Sequence, residues 1–293
     1  MIINPYTYNP YLLDTYTNAV AAYSVRRLRS GYSGKVVNVR RTIGATSVFA
    51  DVSFYNNTIT MDSAVTITSG SSSATTLGQF CAKTGYSNPD GIAANQSLFV
   101  NTWYDQTTNG RNFGQSTASV QPRLVNAGNF ETDGNHVCVN SDLGTTYYLD
   151  YGTGFTATTI FGVARVTTQN TINYVTGGTG LFMNGTFAGV NGIGGADSAG
   201  TIRSLTGEDL LRHLAYWNLK SSKLYASNNG AAESDLGSFN VASQNITRLF
   251  GRTNVGATVN FRGKIQEFIF FNSDETNNKS GIEANINTFY GIY

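Results

Sequence analysis

Val259-Asn260-Phe261-Arg262-Gly263-Lys264-Ile265-Gln266-Glu267-Phe268-Ile269-Phe270-Phe271 is the clearest core strand of the chain. Aromatic and β-branched residues crowd it, as a strand buried in a sheet requires. By alternation Glu267 shares a face with Ile265 and Ile269, which predicts a partly buried carboxylate paired with an arginine, not a catalytic one. Just downstream, Asp274-Glu275-Thr276 offers helix-capping side chains. Ile282, Ile286 and Phe289 follow at i, i+4 and i+7, predicting one amphipathic helix over roughly 277–289.

Working back toward the start, strands are expected at 135–140, 146–151, 157–166, 180–190, 212–219, 222–227 and 246–251. Turn signals such as Asn228-Asn229-Gly230 separate them. Lys35–Arg41, the run from Asp51, and Ser97–Tyr104 also read as strands. Residues 66–76 read as a loop, 77–83 as a short helix, and 21–34 as one or two helical turns. Residues 1–20, rich in Tyr, Asn and Pro, read as an extended arm, either laid on the domain or docked on another subunit. Residues 21–293 show no repeat and no linker, so they read as one domain. Composition agrees: 13% of the 293 residues are charged, 12% are aromatic and 32 are glycine. The charged share is about half the usual ~25%. Many short strands spaced by turns imply an all-β jelly-roll β-sandwich with a short C-terminal helix.

Several functions are disfavoured at once. No run approaches the ~20 apolar residues of a membrane span, and the first residues lack the pattern of a secretory signal. A net charge of +1 gives no general reason to bind nucleic acid. Cys81 and Cys138, with His136 and His213, fit no metal-ligand spacing. A Cys81–Cys138 disulfide is conceivable, but Cys138 lies in an alternating run that favours a buried free thiol.

Certain blocks carry a resemblance. They are Ala22-Tyr23-Ser24-Val25-Arg26-Arg27-Leu28, Tyr32 to Arg41, and Thr102-Trp103-Tyr104-Asp105-Gln106-Thr107-Thr108-Asn109-Gly110-Arg111. Gln121 to Val125, Gly263 to Phe268 and Ile282 to Tyr293 complete the set. In this order, over about residues 22–293, they resemble the catalytic domain of the fungal α-L-arabinofuranosidase B family. They resemble still more the concanavalin A-like domains of bacteriophage virion proteins. The resemblance implies a concanavalin A-like sandwich. It does not carry over the two carboxyl groups a retaining glycosidase needs. Leu249 to Asn254 stands where the family's acid/base Asp is expected, and about 179–195 where its nucleophilic Glu is expected; neither stretch holds an acid.

Other candidate sites read mostly as structure. Asp105 could act as an acid or base, but more simply satisfies turn amides. Glu208-Asp209 reads as a solvated turn, and His213 near Ser204 lacks a nucleophile-elbow pattern. The basic run Arg26, Arg27, Arg29, Lys35, Arg40 and Arg41 could bind phosphate or anionic glycans, but reads more simply as a solvated face with some internal pairing, and Arg40 and Arg41, in the resembling blocks, read as structural. Gly177–Gly180 and Gly192–Gly195 read as hairpin turns. Sugar binding needs aromatic faces beside Asn, Asp and Gln side chains. Trp103, Tyr104, Asp105, Asn109, Tyr147 and Tyr148 are the candidates; Tyr151 and Tyr174 are further aromatic material. No catalytic residue, metal ligand or cofactor is expected, although calcium on loop Asp and Asn oxygens is compatible with the composition.

The expectation is therefore a non-enzymatic bacteriophage virion protein, a capsid decoration, head-fibre or tail-fibre component with a glycan-binding domain. It would attach to other virion proteins through residues 1–20 and form a homo-oligomer, without nucleic-acid or membrane partners. The alternative is a glycoside hydrolase of the arabinofuranosidase type.

Overall fold

The strand Gly263–Phe271 is the spine of the molecule, buried along almost its whole length. The computed structural model describes residues 11–143, 147–168, 181–182, 192–196, 202–206, 210–240, 243–251 and 261–293. Thr159–Val166 pairs along one side of the spine. Ala19–Ser24 and Val139–Asn140 share its other side. Beyond Thr159–Val166 come Arg212–Lys220, Lys223–Asn228 and Ser234–Ser238. Beyond Val139–Asn140 come Arg123–Asn126, Leu98–Trp103, Lys35–Ile43, Thr46–Ser53 and Val65–Ser69. Leu98–Trp103 also reaches Phe113–Gly114, which pairs with Leu149–Ala157 and through it with Gln244–Leu249. All these pairings are antiparallel, and the result is a large concanavalin A-like β-sandwich.

The core lies between the two layers, where aromatic rings from both meet edge to face. Tyr23 and Phe113 lie 4.9 Å apart, and Phe155 and Phe270 lie 5.3 Å apart. Each such contact adds about 0.5–1.5 kcal/mol to the area buried. Arg26 donates to both oxygens of Glu267, 2.8 Å and 2.9 Å away, with the pair sealed from solvent. The ion pair expected for Glu267 is thus present. Cys81 and Cys138 are buried free thiols. Burial pushes the Cys138 thiol far above its ordinary range.

The chain closes with the helix Lys279–Tyr290, which buries Ile282 and Ile286. Its N-cap is Asn278, which makes no side-chain cap bond. Glu275, offered by the sequence as a cap, instead accepts from Asn18, Ser273 and Asn278. The short helix expected near 77 spans Leu77–Phe80, held by a Thr76/Gln79 capping box.

Four expectations need correction. The loop expected over 66–76 begins as a strand, Val65–Ser69, paired with Thr46–Ser53. The helical turns expected within 21–34 are absent: Ala19–Ser24 is a strand, because pairing with Glu267–Phe271 outweighs the alanine-rich local propensity. The arm is not extended throughout. Leu12–Thr15 is a helical turn with Leu12 and Leu13 buried; residues 1–10 lie outside the described residues. Gly192–Gly195 is not a turn but part of the strand Gly192–Ala196, paired with Ile202–Thr206. Glycine there admits close backbone approach, since a Cβ on Gly194 would stand 2.0 Å from the Arg203 carbonyl oxygen. Gly177–Gly180 lies outside the described residues.

Candidate functional site: a polar row across the sheet

Strand register assembles side chains that are far apart in sequence. Arg248 is opposite Asp150, Asp150 opposite Gly114, and Gly114 opposite Thr102. Thr102 is opposite Asn38, Asn38 opposite Asp51, and Asp51 opposite Thr66. Residues in register share one face of a sheet. This face is the outer one, because the neighbouring Val37, Val39, Ala50, Val52 and Val100 fill the core. Six interstrand steps of about 4.8 Å make the row roughly 29 Å long.

Hydrogen bonds fix its side chains. Asn38 Nδ2 donates to Asp51 Oδ1 at 2.8 Å and to Thr68 Oγ1 at 3.0 Å. Tyr104 donates its hydroxyl to the same Asp51 oxygen at 2.7 Å. Burial first, then the bond and charge of Asp51, raise the Tyr104 pKa well above its ordinary value. Asn101 donates to Asn38, Gln121 to Asn101, and Arg40 to Gln121. At the other end Arg248 grips both oxygens of Asp150, at 2.6 Å and 2.9 Å, and lies 3.7 Å over the Tyr148 ring. There is room at Gly114, where a Cβ would meet only Asn101 and Thr102 at ordinary contact distances, while Asn38 is buried.

The six residues expected to bind sugar do not form one cluster. Trp103 is fully buried and presents no ring face. The buried Asp105 accepts from Ala22 N, Thr107 N, Thr107 Oγ1 and Arg111 N, the turn-forming role read from the sequence. Asn109, exposed on the same turn, donates to Val20 O of the strand Ala19–Ser24. Tyr104 and Tyr148 flank the row, and Tyr147 is half-buried beside Leu143. Asn38, Asp51, Thr102, Asp150 and Arg248 were not singled out from the sequence. No local motif marks them, and only register joins them.

Other groups are occupied by structure. Arg41 pairs with Asp90 and lies 4.4 Å over Phe80. The buried His213 contacts Asn229, and His136 packs on Phe289 and Tyr290. Glu208, Asp209 and Tyr174 lie outside the described residues. Among the described residues no group of three His, Cys, Asp or Glu side chains is placed to hold a metal ion. No helix there is long and apolar enough to cross a membrane.

The row carries two carboxylates, Asp51 and Asp150, four interstrand steps or roughly 19 Å apart. Glycosidase pairs stand about 5–5.5 Å apart when retaining and about 6.5–9.5 Å when inverting. Asp51 and Asp150 therefore do not form a catalytic pair with each other. Asp150 is neutralised by Arg248, whereas Asp51 Oδ2 has no partner among the described residues.

No protein-family model matches the chain, and no curated protein matches it in sequence. Solved structures do match. A GH54 α-L-arabinofuranosidase soaked with a cyclic sulfate inhibitor superposes with TM-score 0.60 at 14% identity. A point mutant of a GH54 α-L-arabinofuranosidase, soaked with 4-nitrophenyl α-L-arabinofuranoside, gives 0.59 at 15%. An arabinofuranosidase complexed with arabinofuranosyl-α-1,2-xylobiose gives 0.55 at 15%. Each match covers 94% of this chain and 64% of the other, so the chain spans about 64% of the length of these enzymes. Trypanosoma rangeli sialidase, at TM-score 0.40 and 9% identity, is too loose a likeness to carry an argument.

The expectation of a non-enzymatic chain is corrected by these matches. The three structures named first, which share its fold over 94% of its length, are arabinofuranosidases. At 14–15% identity the residue register between chains is loose. The lack of acids at 179–195 and 249–254 therefore does not decide against catalysis. Much of both stretches lies outside the described residues.

Proposed function

We propose that the protein is a glycoside hydrolase of the arabinofuranosidase type, with the Arg248-to-Thr66 row as its substrate face. The observation that carries this reading is the row itself: a polar sheet face carrying Asp51, Thr102, Asp150 and Arg248, flanked by Tyr104 and Tyr148, with room at Gly114 and the buried Asn38 holding Asp51. Amide, carboxylate and hydroxyl groups match sugar hydroxyls, and aromatic rings match sugar C–H faces. The fold likeness to arabinofuranosidases supports the same reading.

Asp51 takes the acid/base role, because one of its oxygens is uncommitted while Asn38 and Tyr104 hold the other in place. Its partner carboxyl is to be sought, by amide substitution, at Asp197, Glu208 and Asp209, acids of the sequence that lie outside the described residues. Release of 4-nitrophenol from 4-nitrophenyl α-L-arabinofuranoside, lost in Asp51→Asn, supports the proposal. No turnover of this or other aryl glycosides contradicts it.

The proposal extends to a virion setting, in which residues 1–20 attach the domain to other phage proteins and copies assemble symmetrically. Fractionation of particles tests it, and a chain found in cells but never in particles ends it. Calcium on loop oxygens joins the proposal, tested by melting with and without chelator.

A further inference from the structure

The hairpin joining Arg212–Lys220 to Lys223–Asn228 turns through Ser221 and Ser222, at φ +50° and +55°. Lys220 pairs with Lys223, so the loop is two residues long. Such loops favour Asn-Gly, because most side chains are strained on a left-handed backbone. The protein follows that preference one turn later, with Asn229 and Gly230 at φ +50° and +76°. Ser221-Ser222 departs from it, and departures of this kind collect where a side chain is needed for function.

Both serines line a surface cavity of about 340 Å³ with Arg203, Lys223, Ser238, Phe239 and Asn240. That volume falls within the ~300–1,000 Å³ of small-molecule sites. Phe239 is buried and donates its amide to Ser222 O at 2.8 Å, fixing the turn. Arg203 lies along Gly237, its Nε 3.4 Å from where a Cβ would stand. Its guanidinium bonds to the Ile202 carbonyl and pairs with no carboxylate among the described residues. Lys223 is held by Asp235 at 2.6 Å. Arg203, Lys223 and Asp235 together leave one net positive charge among serine hydroxyls.

We propose that this cavity binds a singly charged acidic sugar, its carboxylate on Arg203 and its hydroxyls on Ser221, Ser222 and Ser238. The cavity is built on Lys223–Asn228, Ser234–Ser238 and, from a separate three-stranded sheet, Ile202–Thr206, none of which carries the Arg248-to-Thr66 row, and its occupancy does not depend on hydrolysis. Isothermal titration at low salt, with D-glucuronate, D-glucose and sulfate as separate probes, tests it. D-glucuronate binds, D-glucose binds at least about tenfold more weakly, and Arg203→Ala weakens D-glucuronate roughly tenfold or more. The double variant Ser221→Asn/Ser222→Gly relaxes the turn, so it melts higher yet also binds D-glucuronate more weakly. This variant keeps the test decisive if Arg203→Ala fails to fold. No D-glucuronate binding to the wild type overturns the proposal, as does unchanged binding in the double variant. Sulfate binding as tightly as D-glucuronate overturns the sugar assignment and leaves a plain anion site.

Discussion

Tyr104 reaches across the strand Lys35–Ile43 to donate its hydroxyl to Asp51 Oδ1 at 2.7 Å, where the Asn38 amide also donates. Asp51 is thereby oriented by two neutral donors and neutralised by no cation among the described residues. Replacing Asp51 with Asn removes the charge that, after burial, holds the Tyr104 pKa up. Ultraviolet titration of the phenolate is therefore expected to show Tyr104 ionising at lower pH in Asp51→Asn. An unchanged titration would mean that burial alone sets it.

Gly114 gives a test of the groove that leaves Asp51 intact. Its backbone is not left-handed, and a Cβ there makes only ordinary contacts. Gly114→Leu is expected to melt within a few degrees of the wild type, since surface changes of this kind stay within about 0.5 kcal/mol. The leucine projects over the row, so hydrolysis and glycan binding are lost. Full activity in this variant would place the substrate elsewhere.

The buried pair Arg26–Glu267 joins the spine strand to the segment after Ala19–Ser24. Glu267→Gln leaves an uncompensated guanidinium and is expected to cost about 3–5 kcal/mol in chemical unfolding. Arg26→Leu/Glu267→Leu together are expected to cost much less than the sum of the single changes. Additive losses would show that the two side chains do not act as a pair.

His136 titrates below its usual range because burial, then Arg212 and Arg26, disfavour its charge. Between that lowered value and the unfolded value of about 6.5, the unfolded chain binds more protons. Stability from this group is present above about pH 6.5 and is lost as pH falls through the window. Melting curves across this range are expected to drop for the wild type and to flatten in His136→Gln.

The legible parts of the sequence were those in which one segment settles its own fate. Gly263–Phe271 is apolar enough to be read as a core strand, and Ile282 and Ile286 repeat at helix spacing. Glu267, Asp105 and the free thiols followed from residue type and immediate neighbours. Trp103 shows where this stops. Strict alternation from Leu98 and Val100 turns it outward, but the register slips by one residue at Asn101, opposite Asn38 and Val39. That bulge reverses the face and buries the ring. Ala19–Ser24 was misread because its partner, Glu267–Phe271, lies some 250 residues away in the chain. The row was illegible for the same reason: residues 38 and 248 come to share one face only after five strands have paired.

The central claim is most directly tested by the rate at which purified protein releases 4-nitrophenol from 4-nitrophenyl α-L-arabinofuranoside, measured beside Asp51→Asn. The account predicts turnover by the wild type and a loss of roughly 10²–10⁴ in the variant, the range for removing a general acid or base. Absent turnover, or equal rates in the two proteins, would contradict it.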